Sequence, residues 1–306
     1  MVSKGSFDMI VYPDFYPEFR CIADACRHSC CRGWEIDIDE DTARLYDGIP
    51  GELGQMIRRS ISRDPEPHFV LTDDDRCPFL QENGLCRLIL TLGEDSLCDI
   101  CTEHPRFYNQ YPDRTEIGLG LCCEEAVRLL LSSDAPLRLI AEPEPDDGDE
   151  PCPTPALILR EHIFGILADS ALPLCERMDS ALRLAGAAPL DLTTREVAEF
   201  FLTLERLDED WTRLLNLLAQ RENAPLPQPE GAAYERIAEY LIYRHFAVGD
   251  TAADCARRLR FAFLGTRLLS ALDALNDTPL PELLRLFSAE IEYSDQNLLI
   301  ANQRFC

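Results

Sequence analysis

No stretch of the chain approaches the roughly eighteen uninterrupted apolar residues that a membrane-spanning helix needs. The opening Met1-Val-Ser-Lys-Gly-Ser-Phe-Asp also lacks an apolar run of the length that a secretory signal carries, so a cytoplasmic protein with reduced thiols is expected. Positive charge is scarce. Among 306 residues, 29 Lys and Arg face 55 Asp and Glu, a net charge of −26. That balance repels nucleic acid and anionic membranes, and no basic stripe offsets it. It suits a basic protein partner, although solubility alone accounts for it equally well. A Gly-x-Gly-x-Gly loop after a strand is missing, which argues against the doubly wound nucleotide-binding fold, and Gly118-Leu-Gly120 is a lone pair that reads as a turn. Neither an internal repeat nor a heptad run is present.

Cysteine, by contrast, is abundant. Ten of fourteen lie between Cys21 and Cys123, at Cys21, Cys26, Cys30, Cys31, Cys77, Cys86, Cys98, Cys101, Cys122 and Cys123. Thiols crowded at short spacings are what a tetrahedral metal or an iron–sulfur cluster asks of a sequence. Disulfides are the competing explanation, but a reducing compartment and the adjacent pairs Cys30-Cys31 and Cys122-Cys123 make a poor framework for them. If the segment from Cys26 to Cys30 is helical, those two share one face. Arg27 and Arg32 would then offset the charge of a thiolate centre. The turn signal Asn83-Gly84 predicts a hairpin that draws Cys77 toward Cys86. Cys98-x2-Cys101-x2-His104 has a chelating spacing, with His104 either a ligand or a turn residue. Cys122-Cys123 precedes a helix over 124–131. The Cys-x3-Cys-x2-Cys spacing of radical enzymes is not met, because Gly33 stands where its third cysteine would fall. Zinc and an iron–sulfur cluster (4Fe–4S) both remain open. Cys152, Cys175, Cys255 and Cys306 are isolated.

The pattern divides the chain into a cysteine-rich, irregular region over 1–140 with a few short strands, an acidic proline-rich linker over 141–155, and an α-helical, bundle-like domain over 156–306. The fold class is mainly α. An extended segment is expected at Ile10–Phe15, a short helix over 39–46 and a strand at 68–72. Further helices are expected over 156–171, 234–246, 252–275 and 281–291. Thr193-Thr-Arg-Glu196 is a capping box that opens one long helix reaching Gln220, with Phe200, Phe201, Leu204, Leu207, Trp211, Leu214 and Leu215 as its core stripe.

The motif Phe19-Arg-Cys21-Ile-Ala-Asp-Ala-Cys26-Arg-His-Ser-Cys30-Cys31-Arg-Gly33-Trp34 resembles the opening of the flagellin lysine-N-methylase family. The likeness continues through Cys77-Pro-Phe-Leu80, Gly84-Leu-Cys86-Arg, Cys101-x2-His104-Pro105-Arg106 and Leu121-x-Cys123-x-Glu125, and reaches a late Ser294-x2-Asn297-Leu298 element. The resemblance implies metal ligation by Cys21, Cys26, Cys30, Cys31, Cys77, Cys86, Cys101 and Cys123, leaving Cys98 and Cys122 as local additions. It also implies methyl transfer from S-adenosylmethionine to lysines of a flagellin-like, basic protein substrate. Such chemistry needs a neutral amine held in line, so Tyr108, Tyr111, Glu116, Tyr293 and Asp295 are candidates to orient it. A non-catalytic binding module stapled by metal and a metal or cluster carrier are the competing classes.

Overall fold

Residues 9–142 and 153–304 are described in the computed structural model. Most of the expected linker therefore lies outside the described residues. The protein is mainly α. Its strands are β1 Ile10–Pro13, β2 Ile36–Asp37, β3 Ile61–Ser62, β4 His68–Phe69, β5 Arg106–Gln110, β6 Thr115–Leu119 and β7 Leu139–Glu142. Its helices are α1 Glu40–Gly48, α2 Gly51–Arg59, α3 Arg87–Leu92, α4 Asp99–Glu103, α5 Glu124–Leu130, α6 Pro155–Leu167 and α7 Leu174–Leu184. After these come α8 Thr194–Phe201, α9 Glu209–Gln220, α10 Ala232–His245, α11 Ala252–Asp273, α12 Leu280–Phe287 and α13 Asp295–Arg304. A π turn, Ser288–Glu292, joins α12 to α13.

The chain divides into two compact units. One, here the thiol unit, comprises Arg20–Phe107 and Cys123–Glu125; the other, the helical unit, takes the chain up to Phe19, Tyr108–Cys122 and everything from Ala126 onward.

In the helical unit β1 lies between β6, parallel to it, and β7, antiparallel with Ile10 opposite Glu142 and Pro13 opposite Leu139; β5 lies at the other side of β6. The longest helix, α11, buries Leu259, Phe261 to Thr266, Leu268, Leu269 and Leu272, and α10 buries Ile237 to Tyr243. Tyrosine hydroxyls tie α10 to the sheet. Tyr243 Oη lies 3.0 Å from both the Val11 and the Ile117 carbonyl oxygens, which share its one proton, and Tyr240 Oη donates to Leu119 O at 3.1 Å. Glu116 on β6 is fully buried and paired bidentately with Arg160 of α6, at 2.6 and 2.5 Å.

The long helix expected from Thr193 to Gln220 is two. The capping box forms as expected at α8, but α8 stops at Phe201, and Asp208 caps a new start by accepting from Asp210 N at 2.8 Å. Side chains from distant sequence hold the interruption. Asn297 Oδ1 accepts from Glu205 N at 3.1 Å, and Glu290 accepts from Leu207 N and Asp208 N, the latter at 2.6 Å. The apolar stripe runs on through the break, with Leu204 buried, so periodicity gave no sign of it. Leu207 is the exception, 81 % exposed.

The thiol unit has a small core of Ile36, Ile38, Tyr46, Ile57, Phe69, Phe79 and Leu88, joined by the sulfurs of Cys77 and Cys98. Phe69 meets the edge of Phe79 at 5.0 Å between ring centroids, and Tyr46 Oη donates to Ser96 O at 2.8 Å. The strands β2, β4 and β3 form a small antiparallel sheet.

Candidate functional site

Two arrangements carry chemistry, one in each unit. In the thiol unit, loops and helix starts carry the cysteines, and two pairs of them meet, Cys30 with Cys31 and Cys98 with Cys101. The segment around Cys26 is a short 3₁₀ turn followed by bends, so the helical spacing of Cys26 and Cys30 does not apply. Cys30 and Cys31 hydrogen-bond through their side chains. Cys30 is the donor, which holds the Cys31 thiol down at about 6 and pushes the Cys30 thiol up. Cys77 N donates to Cys31 O at 2.8 Å, and Gly33, with φ +77°, donates to Asp75 O at 2.9 Å. These bonds fix the Cys31 and Cys77 loops side by side.

The Asn83-Gly84 turn forms as expected. Gly84 (φ +80°) donates to Gln81 O at 3.0 Å, and a β-bridge pairs Leu80 with Cys86, although no full strands flank it. A side chain at Gly84 would meet Asp24 Cα at 3.1 Å. Asp39 caps α1 through Thr42 N at 2.8 Å, and its second oxygen accepts from Asp99 N at 3.0 Å. That carboxylate anchors the start of α4 and with it Cys98 and Cys101. Cys101 donates to Cys98, lowering the Cys98 thiol and raising its own. The Cys123 segment arrives through Glu124, whose carboxylate accepts from Arg27 N at 3.2 Å and meets His28 Nδ1 at 2.8 Å. Burial pushes Cys26 up to about 11 and Cys77 up to about 12. His104 stacks obliquely on Trp34 at 5.6 Å between ring centroids, and burial holds its imidazole neutral down to about pH 4.

None of the twelve described cysteines is in a disulfide. The donor set is chemically apt for zinc or an iron–sulfur cluster: sulfurs from separate segments, with no competing hard ligands required. Among the described residues, however, no three His, Cys, Asp or Glu groups stand placed to hold an ion as they are.

The second arrangement, in the helical unit, surrounds Tyr293. The π turn buries Glu290 and Glu292. Glu292 Oε1 meets His245 Nε2 at 2.6 Å and Arg244 Nη1 at 3.5 Å. Burial alone would raise the Glu292 carboxyl, but Arg244 and His245 outweigh it and hold it at about 2. Burial meanwhile lowers the His245 imidazole below its ordinary value, against the upward pull of Glu292. Arg244 also donates to Tyr240 Oη at 2.9 Å, and its guanidinium lies 5.0 Å from the centroid of the Tyr293 ring. The Tyr293 hydroxyl hydrogen-bonds the Cys122 thiol and rests on Gly120, where a Cβ would fall 1.9 Å from it. Tyr293 as a residue is 44 % exposed. Gly118 and Leu119 are thus the end of β6, and Gly120, just beyond it, seats a phenol.

The other orienting candidates lie elsewhere in the structure. Tyr108 is half-exposed on β5. Tyr111 Oη is buried without a hydrogen-bond partner among the described residues and sits near the Glu116–Arg160 pair, whose own atoms are sealed from solvent. Asp295 opens α13 and lines a cavity of about 500 Å³ with Asp250, Asp254, Arg258 and Asn302. Arg244, His245, Glu292, Gly120 and Cys122 escaped the sequence reading as site residues. The only signal was that Glu292 and Tyr293 flank the late Ser294-x2-Asn297-Leu298 element.

The flagellar biosynthetic protein FliU of Salmonella muenchen is 30% identical to the chain over 135 residues, covering 41% of the chain and 79% of FliU. The chain belongs to the flagellin lysine-N-methylase family. Two further members of this family, the lysine-N-methylases of Salmonella typhimurium (strain LT2) and Salmonella choleraesuis (strain SC-B67), are each 30% identical over 141 residues, 41% of the chain. The chain matches about a third (33%) of the length of these two lysine-N-methylases. No family model matches it, and no solved structure matches it. No helix among the described residues is long and apolar enough to cross a membrane.

Proposed function

We propose that the protein methylates lysine side chains of a flagellin-type, basic protein, using S-adenosylmethionine as methyl donor, in the cytoplasm. The supporting observation is the shared sequence with proteins named lysine-N-methylases. In the balanced reaction the lysine nitrogen bonds the methyl carbon, the carbon–sulfur bond breaks, S-adenosylhomocysteine leaves, and the amine's proton passes to water. A free lysine titrates at about 10.4, so the site must present the neutral amine and aim its lone pair. Tyr293 suits that task. The residue is partly exposed, Gly120 and Cys122 seat its hydroxyl, and Arg244 lies over its ring. The phenol oxygen accepts one N–H of the incoming amine and so sets its direction. The excess of acidic residues draws a lysine-bearing surface toward the protein. The cysteine-rich region serves as the metal-binding module, with Cys21, Cys26, Cys30, Cys31, Cys77, Cys86, Cys101 and Cys123 as ligands. Zinc or an iron–sulfur cluster there supplies a rigid anchor for loops that have little regular structure of their own.

The test uses protein purified without oxygen, labelled S-adenosylmethionine and flagellin from the same source. Label on flagellin lysines is the expected result. Tyr293→Phe is expected to lower incorporation about a hundredfold without changing the melting temperature; Gly120→Ala, which displaces the phenol from its seat, should lower incorporation as well, together with stability. Full incorporation by both variants would remove Tyr293 from the reaction. A second reading rests on the short match to the methylases. On that reading the chain is a metal-stabilised module that docks the basic partner without acting on it, and tight flagellin binding with no label would establish it.

A further inference from the structure

The cavity of about 500 Å³ that Asp295 lines has the size of a small-molecule site. Its walls carry charges of both signs that do not cancel one another. From α11, Arg257 Nη2 and Arg258 Nε reach the two oxygens of Asp254, at 3.1 and 3.0 Å. Two partly buried guanidiniums thus share one carboxylate, each keeps further N–H groups to donate, and a positive charge is left over. Asp250 and Asp295 line the same cavity, and among the described residues neither carboxylate makes a hydrogen bond or an ion pair. Leu298 and Leu299 of α13 add an apolar wall. The cavity also adjoins the surroundings of Tyr293. Arg258 adds to burial in lowering the His245 imidazole, and Asp295 follows Tyr293 by two residues.

These charges discriminate between classes of ligand. A simple anion meets the open carboxylates of Asp250 and Asp295 on a chain of net charge −26. A metal cation meets Arg257 and Arg258. A zwitterion uses both sets, because a carboxylate takes paired N–H donors from a guanidinium while an ammonium gives its own to carboxylates.

We propose that this cavity binds the α-amino-acid head of a small zwitterionic molecule, with its carboxylate on Arg257 and Arg258, its ammonium on Asp250 and Asp295, and its side chain along Leu298 and Leu299. A free amino acid carries that head, and so does S-adenosylmethionine. The inference rests on the charges of the cavity, and only the choice between the two sources touches the proposed methyl transfer.

The probes are labelled L-methionine and labelled S-adenosylmethionine, each dialysed to equilibrium against the full, reduced chain. The expected result is saturable binding of one molecule per chain. Arg258→Gln and Asp295→Asn should each weaken it about tenfold, and so should removal of the amino or the carboxyl group from the bound molecule. Binding of methionine alone identifies a free amino acid as the occupant, binding of S-adenosylmethionine alone the methyl donor, and mutual displacement a head common to both; each of these supports the site. Saturable binding of neither probe overturns the proposal. So does undiminished binding of an analogue that lacks either charge, or unchanged affinity in both variants. Should Arg258→Gln fail to fold, the exposed Asp295→Asn and the two analogues decide. S-adenosylmethionine bound here with no label on flagellin leaves the site standing and removes the methyl-transfer reading, so the two fail separately.

Discussion

The two units solve the problem of burying polar atoms in opposite ways. The helical unit buries full charges and pairs them. Glu116 and Arg160 are both wholly buried, Arg236 donates to the Leu130 and Ala135 carbonyls at 2.7 Å and to Asp14 at 3.1 Å, and Glu292 lies between His245 and Arg244. Such pairs are tolerable because long helices and a sheet hold every partner in register. The thiol unit keeps ion pairs such as Arg44–Asp41 and Arg63–Asp47 at the surface and puts sulfur inside. Its elements are short, its strands β2 to β4 two residues each, and its apolar cluster small. A unit of that kind is marginal on hydrophobic burial alone, which is the setting in which a metal contributes folding energy. Stability in the helical unit is a property of its long helices and sheet, whereas the thiol unit has only short elements and a small core to rest on.

The largest effect should come from a strong chelator under reducing conditions. Hydrogen exchange is expected to rise throughout Arg20–Phe107, while α10 and α11 keep their protection. Equal loss in both units would erase the contrast. Next is the buried pair. Arg160→Ala leaves Glu116 charged with no partner and should cost the helical unit about 3–5 kcal/mol in denaturant unfolding, with the thiol unit's exchange pattern unchanged.

A smaller effect is set by pH. Burial raises the Glu239 carboxyl to about 7, even though Leu137 N donates to it at 2.7 Å. A raised folded value means that this residue's contribution is complete below about pH 4.5 and is lost as pH rises through 7. Glu239→Gln removes that loss. Its stability relative to wild type should therefore climb by roughly 3 kcal/mol between those limits, and a flat difference would show the carboxyl to be ionised in the fold throughout. The smallest change is Thr193→Ala, which removes the α8 cap and should cost about 1 kcal/mol, read as a shift in the urea midpoint.

Local signals were legible where local chemistry decides. Asp39 and Thr193 cap where their sequences say they should, the Asn83-Gly84 turn forms, and α6, α10 and α11 begin within a few residues of their apolar patterns. The break between α8 and α9 was not legible, because Glu290 and Asn297 make it from about ninety residues away. The surroundings of Tyr293 were hidden for the same reason. They draw on the end of β6, the last turn of α10 and the π turn, and no spacing in the chain relates these. For the cysteines, the sequence located the thiols along the chain but not which of them meet; Cys30 and Cys31, expected to point apart, hydrogen-bond each other in a turn rather than a strand.

In the π turn, Tyr293 N donates to Ser288 O at 3.1 Å, five residues back where an α-helix would reach four. That extra residue works as a phase adjuster. Deleting one position between Ser288 and Glu292 would let the segment relax to ordinary α geometry, and everything downstream would rotate by about 100° about the axis. Asn297 would then swing away from Glu205 and the phenol from its glycine seat. The length of this one short segment therefore sets two distant contacts at once, and a change of length there is costlier than most changes of residue.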